Sequence, residues 1–264
     1  MYIAFFDSGV GGITVLKQSL SVLPHEDYFY YGDTSHVPYG VKPKEQVKQF
    51  VLESITSIIP FGIKALVVAC NAATSIAIND LRKQFSFPVI GMEPAVKVAV
   101  DSCKNKRILV LSTVLTLKEE KFNNLVSKLD KYCKIDTLPL SELVHYAENF
   151  NFKEEEISAY FREKFISFNL EDYGAVVLGC THFIYYKNIL QKILPKHVLI
   201  VDGNNGTINQ LSNVLKKNKL EAKENKAEIL LYFSGVKNLK RNAEIKKIIH
   251  EEASNYKIID NIEI

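Results

Sequence analysis

The 264-residue chain is 47% hydrophobic and 24% charged, with a net charge of +3. That balance belongs to a globular protein with a full-sized core, not to a disordered or fibrous one. No apolar run reaches the roughly 18 residues of a membrane-spanning helix, and the start lacks a basic n-region and a small-residue cleavage site. No membrane association is therefore expected, and a cytoplasmic location is. Four cysteines, none in a C-x-x-C pair, make neither a disulfide framework nor a zinc knuckle, so no metal is expected. The basic excess gathers after Val214 (Lys216, Lys217, Lys219, Lys223, Lys226, Lys237, Lys240, Arg241, Lys246, Lys247). It is mixed with glutamates and lacks interleaved aromatics, so it reads as a solvated face and nucleic acid is not an expected partner.

Residues 2–6 read as a buried first strand. The tight turn Asp7-Ser8-Gly9-Val10-Gly11-Gly12 follows, then a helix over 13–23 closed by Pro24. The turn resembles a phosphate cradle but has no P-loop lysine and leads with a carboxylate. Asp7 is a candidate to hold a substrate ammonium or to act as a base, and Asp7 or Ser8 could equally cap backbone N–H groups. A second strand at 27–31 leads into the polar loop Gly32-Asp33-Thr34-Ser35-His36-Val37-Pro38-Tyr39-Gly40. Apolar residues at helical spacing mark a helix over 44–59. Five apolar residues, Ala65 to Ala69, run straight into Cys70, as in a strand buried on both faces, and a helix reaches about 84. A strand at 89–92 and a short helix after Pro94 follow. The alternation of strand and helix predicts an α/β fold with mainly parallel sheets.

The second half repeats this order. A strand at 107–111 ends in Ser112-Thr113, as the first ends in Asp7-Ser8. A helix over 117–131, a strand at 135–138, and helices over 141–148 and 153–168 come next. The strand at 175–178 leads into Gly179-Cys180-Thr181-His182, and Cys180 stands 110 residues after Cys70. A helix over 183–194, a strand at 198–201, a helix to 217, a strand at 228–233 and a helix over 242–252 complete the prediction. Two landmarks at nearly one spacing point to an internal duplication, with each half offering one cysteine to a shared cleft at the carboxyl ends of the strands.

Cys103 and Cys133 read as small buried hydrophobes. Cys70 and Cys180 each end an apolar strand before a helix and have polar neighbours. A helix N-terminus is expected to stabilise their thiolates, and His182 could tune Cys180. Two like thiols facing one carbon suit an inversion. One removes a proton from one face, the other supplies a proton to the opposite face, and the roles exchange in reverse. Backbone N–H groups at helix starts would hold the carboxylate beside the developing carbanion. Neither a metal nor an organic cofactor is needed for this chemistry.

Five motifs in order carry a resemblance along most of the chain: Phe6-Asp-Ser-Gly-Val-Gly-Gly12, Tyr31-Gly-Asp-Thr-Ser-His-Val-Pro-Tyr-Gly40, Ala69-Cys-Asn71, Gly91-Met-Glu-Pro94 and Gly179-Cys-Thr-His-Phe183. Together they resemble the cofactor-independent aspartate/glutamate racemase superfamily, in its glutamate racemase branch. The resemblance implies two pseudo-symmetric, doubly wound α/β domains with the active site between them, one of residues 1–94 plus 209–264 and one of 95–208. It implies Cys70 and Cys180 as the catalytic pair, Asp7 and His182 as assisting groups, and Asp33 and Glu148 as further acidic positions. It places substrate contacts at Asp7, Ser8, Pro38, Tyr39, Gly40, Asn71, Ala72, Thr181 and His182. It further implies D-glutamate made for bacterial peptidoglycan. Independently of the resemblance, a homodimer is the expected assembly, being the commonest among soluble oligomers.

The chain departs from the family pattern at Ala72, where threonine is usual, at His36 (arginine), at Ile184 (proline), at His145-Tyr146 and at Gly203. Within the superfamily, an aspartate racemase or a decarboxylase is the nearest rival, though a decarboxylase needs only one cysteine. A silent protein that merely binds a dicarboxylate or a protein partner is the rival outside enzymes.

Overall fold

The computed structural model describes residues 1–92, 95–103, 106–129, 134–222, 227–260 and 262–264, with Lys121 as backbone only. Glu93 and Pro94, at the expected end of the first domain's leading segment, lie outside the described residues, as do Cys133, Lys223 and Lys226. Among the described residues, ten strands form two sheets. The first contains β1 (Tyr2–Asp7), β2 (Tyr28–Gly32), β3 (Ile63–Val68) and β4 (Val89–Gly91). The second contains β5 (Arg107–Ser112), β6 (Ile135–Pro139), β7 (Tyr173–Leu178) and β8 (Leu199–Asp202). The chain then returns to the first sheet with β9 (Glu228–Phe233) and β10 (Lys257–Ile259). The strand orders are β10-β9-β2-β1-β3-β4 and β6-β5-β7-β8, and every pairing is parallel.

Alternating side chains put each strand into two cores. On β1, Ile3 and Phe5 face a layer of Val15, Leu16, Ile208, Leu211, Leu215, Ile245 and Ile249. Ala4 and Phe6 face Val47, Val51, Ile55, Ala77 and Leu81 on the other side. The second sheet is built alike. Leu109 and Leu111 point to one core with Ala147, Phe161 and Leu190, and Ile108 and Val110 to another with Val96, Ala99 and Phe122. Strands covered on both faces have no solvent side, which is why they read as unbroken apolar runs.

The duplication extends to register. β1 pairs β3 with a slip after Tyr2 and then matches Ile3 to Ala65. β5 pairs β7 with a slip after Arg107 and then matches Ile108 to Ala175. The cysteine loops therefore leave equivalent strands of both sheets.

Four details correct the sequence reading. The helix expected over 117–131 is two helices, Val114–Lys118 and Glu120–Leu129, broken where Glu119 takes an extended backbone. The segment after Cys180 starts as a 3₁₀ helix, Thr181–Tyr186, and becomes α-helical only over Lys187–Ile193. The last helix is Leu239–Ile249, starting three residues earlier than expected because Asn238 caps it by accepting the Arg241 N–H at 3.0 Å. Strand β10 was not expected. Its three residues are short and only partly covered, so they carry no apolar periodicity.

Gly206 lies in the helix Asn204–Asn218, and a methyl group there would meet nothing within 4 Å. Gly206→Ala is expected to stabilise the protein by about 0.5–1 kcal/mol through a less flexible unfolded chain. A shift of the urea midpoint to higher concentration checks it. Among the described residues, no helix is long and apolar enough to cross a membrane.

Candidate active site

The carboxyl ends of β1, β3, β5 and β7 converge on a narrow cleft with about 20 Å³ of room for water-sized molecules. Ser8, Pro38, Tyr39, Gly40, Cys70, Asn71 and Ala72 line it from the first sheet. Thr113, Thr116, Val144, Gly179, Cys180 and His182 line it from the second. Both thiols reach it while only 6% and 8% exposed, respectively.

Cys70 itself is the N-cap of the helix Asn71–Gln84. Its Sγ accepts the Ala73 N–H at 3.5 Å, and its S–H donates to Ser8 Oγ at 3.7 Å. The expectation that the helix start would favour the thiolate is not met here. Burial, together with the charge of Asp7, pushes the Cys70 thiol up to about 12, against the smaller opposing pull of the Ala73 and Ser8 bonds. Cys180 has an extended backbone and no cap bond, because a 3₁₀ turn rather than an α-helix follows it. Its partner is His182, whose Nδ1 lies 3.7 Å from Sγ.

Behind the thiols is a polar layer that joins the two halves. His182 Nε2 lies 2.7 Å from Glu148 Oε1, and the same oxygen accepts the Val10 N–H at 2.7 Å. Thr181 Oγ1 donates to Asp7 Oδ2 at 3.1 Å, and the Gly9 N–H donates to Oδ1 at 2.9 Å. Burial works against an imidazolium at His182, but its contacts with Cys180 and Glu148 outweigh this and hold it well above the ordinary histidine range. Burial raises the Asp7 carboxyl, with the His182 charge opposing. The closeness of this layer explains the glycines of the first turn. A Cβ at Gly9 would fall 1.8 Å from Glu148 Oε1, and one at Gly11 2.4 Å from His182 Nδ1.

The structure thus brings Ser8, Pro38, Tyr39, Gly40, Asn71, Ala72 and His182 to the cleft with both cysteines. Asp7, Thr181 and Glu148 stand directly behind it. Asp7 does not cap the following helix, whose N-cap Gly12 has no side-chain bond. Its carboxylate is spent on the turn and on Thr181. Asp33 sits further back and accepts from the Tyr39 hydroxyl (2.5 Å) and Ser234 Oγ (2.7 Å). His36 Nδ1 lies 2.9 Å from its carboxylate, with the ring stacked on Phe50. Asp33 therefore orients Tyr39 rather than facing the cleft. Glu148 reaches His182 although His145-Tyr146 precede it in the same helix.

Sequence reasoning missed Thr113 and Thr116, whose hydroxyls lie 3.1 Å apart on the cleft wall. The signal was present: Ser112-Thr113 is the second-half counterpart of Asp7-Ser8. It also missed the ion pair of Lys44 with Glu119 at 2.8 Å, a first-half residue to a second-half one. Among the described residues, no group of three or more His, Cys, Asp or Glu could hold a metal ion.

Two parallel sheets that bring like thiols to one small cleft, with a histidine–carboxylate pair behind, suit a racemase, an enzyme of the isomerase class, and the similar proteins show that class. Residues 15–211 match the Asp/Glu/Hydantoin racemase family model. The glutamate racemase of Halothermothrix orenii is 51% identical over 252 residues, 95% of this chain and 100% of that protein. The crystal structure of the RacE1 glutamate racemase of Bacillus anthracis superposes with a TM-score of 0.85 at 28% identity, covering 100% of this chain and 97% of that one. That of the Francisella tularensis enzyme, in complex with D-glutamate, gives 0.83 at 25% identity over 99% and 97%. The chain belongs to the Asp/Glu/hydantoin racemase family.

Proposed function

We propose that this protein interconverts L- and D-glutamate by proton transfer at Cα, with Cys70 and Cys180 as the two acid/base groups. The carrying observation is that both thiols line one small cleft from equivalent strand ends. The names of the similar proteins support glutamate as the substrate. One thiolate takes the Cα proton, and the opposite thiol delivers its own to the other face. The proton count of the pair is conserved and the two sulfurs exchange roles. The raised Cys70 thiol suits the donor role. An imidazolium at His182 supplies the counter-charge that a thiolate at Cys180 requires.

Asn71 and Ala72 at one helix start, and Ser8, Thr113 and Thr116 at the other strand ends, provide the N–H and hydroxyl groups for the substrate's carboxylates. In this reading the first domain is 1–94 with 209–264 and the second is 95–208. The helix that returns to the first sheet starts at Asn204 and packs Ile208 there. The enzyme acts as a cytoplasmic homodimer, and its D-glutamate enters bacterial peptidoglycan.

In D₂O, either enantiomer of glutamate is expected to gain deuterium at Cα while its circular dichroism decays to zero. No exchange from folded, reduced protein would reject glutamate. Repeating the test with aspartate would then separate a change of substrate from a silent binding protein.

A further inference from the structure

One residue of the glycine turn, Val10, is gripped from the second half at both of its backbone polar atoms, which belong to two successive peptide groups. The Val10 N–H donates to Glu148 Oε1, and the Val10 carbonyl accepts the Tyr185 hydroxyl, each at 2.7 Å. Beneath, Tyr30 donates to the Gly9 carbonyl, also at 2.7 Å. Val10 is fully buried. Tyr185 packs against the cores of both halves, with its ring 5.3 Å from that of Phe152. It lies in the 3₁₀ turn that begins with Thr181 and His182. The same segment that carries the histidine therefore reaches across and fixes the residue whose N–H orients the histidine's carboxylate.

We propose that Tyr185 is a positioning residue for the proton-transfer chemistry, its phenol locking the Val10 backbone from the carbonyl side so that the Val10 N–H holds Glu148 against His182 and His182 beside Cys180. A residue acting this way touches no substrate. Its influence passes through two hydrogen bonds that share Val10, and a small displacement of a catalytic group is enough to cost a large part of the rate. The groups facing His182 are Cys180, Glu148 and Asp7, so loosening Glu148 weakens one of the two contacts that favour the imidazolium.

The test is Tyr185→Phe, which removes only the hydroxyl. The Val10 carbonyl keeps its turn bond from the Ile13 N–H at 3.2 Å, so the fold is expected to persist by circular dichroism. This inference rests on the glutamate racemase reading for its kinetic arm. There kcat/KM should fall about tenfold, equally in both directions because two enantiomers have an equilibrium constant of one. The second arm needs no substrate. The imidazole ¹⁵N signal of His182, assigned by its loss in His182→Asn, should titrate at lower pH in the variant than in the parent. An unmoved titration overturns the proposal, whether the variant is slow or fast, because a bond that is only structural alters the melting temperature and not the histidine. Should Tyr185→Phe fail to fold, 3-fluorotyrosine at 185 keeps the ring and strengthens the donor. The titration should then move to higher pH, and no movement again overturns the proposal. A parent that fails to racemise glutamate rejects the functional reading alone, and the titration still decides the role of Tyr185.

Discussion

Cys180→Ser is expected to lower kcat/KM for glutamate by about 10³-fold, within the 10²–10⁴ that a positioned acid–base group contributes. Serine keeps the size and a hydrogen bond, but an alcohol gives up its proton far less readily than a thiol does. His182, at 3.7 Å from the sulfur, can pair with a thiolate but does not create an equivalent alkoxide. Under the proposed two-thiol mechanism Cys70→Ser should cost a similar factor, its thiol then being the other half of a reversible pair. The losses must match in both directions for each variant. Far-ultraviolet circular dichroism and the melting temperature should stay near those of the parent, since both side chains are small and reach the cleft. Racemisation is followed polarimetrically at several substrate concentrations. A parent-like rate in either variant would eliminate the two-thiol mechanism.

Gly11→Ala should be strongly damaging to both stability and activity. Its Cβ would stand 2.4 Å from His182 Nδ1 and 2.5 Å from Thr181 Oγ1. Neither neighbour can swing away freely. His182 is held by Glu148 and Thr181 by Asp7, and both are buried. The halves must part or the histidine must turn. Overpacking of this kind costs about 1–3 kcal/mol of stability. The displaced imidazole should lower kcat/KM by about 10²-fold. Urea unfolding and racemisation assays measure the two effects on one preparation. Unchanged values for both would mean that the two halves are not in contact at this turn in solution.

Much of this architecture was legible along the chain. The apolar runs ending in Asp7, Cys70, Ser112 and Gly179 located the strands, because a strand covered on both faces has no polar alternation to blur it. The spacing of Cys70 and Cys180 exposed the duplication, and the matching register slips after Tyr2 and Arg107 carry it into the sheets. Helix boundaries were less legible where the chain changes helix type. The 3₁₀ turn over Thr181–Tyr186 has the same apolar residues as an α-helix would, and only packing against both cores selects it. Strand β10 is three residues long, too short for any period to appear.

The sequence by itself determined which groups could do the chemistry: two thiols at strand ends, a histidine two residues after one of them, and carboxylates in the turns. These follow from local order, since a residue at the end of a buried strand must emerge at the sheet's edge. Only the tertiary structure decided their states and alliances. The helix-start effect that favours a thiolate at Cys70 is local, but the burial that overrides it comes from the whole fold. Glu148 and Tyr185 are 138 and 175 residues from Val10 in the chain. No local pattern records that both hold the same residue, because those contacts exist only once the two halves have packed together.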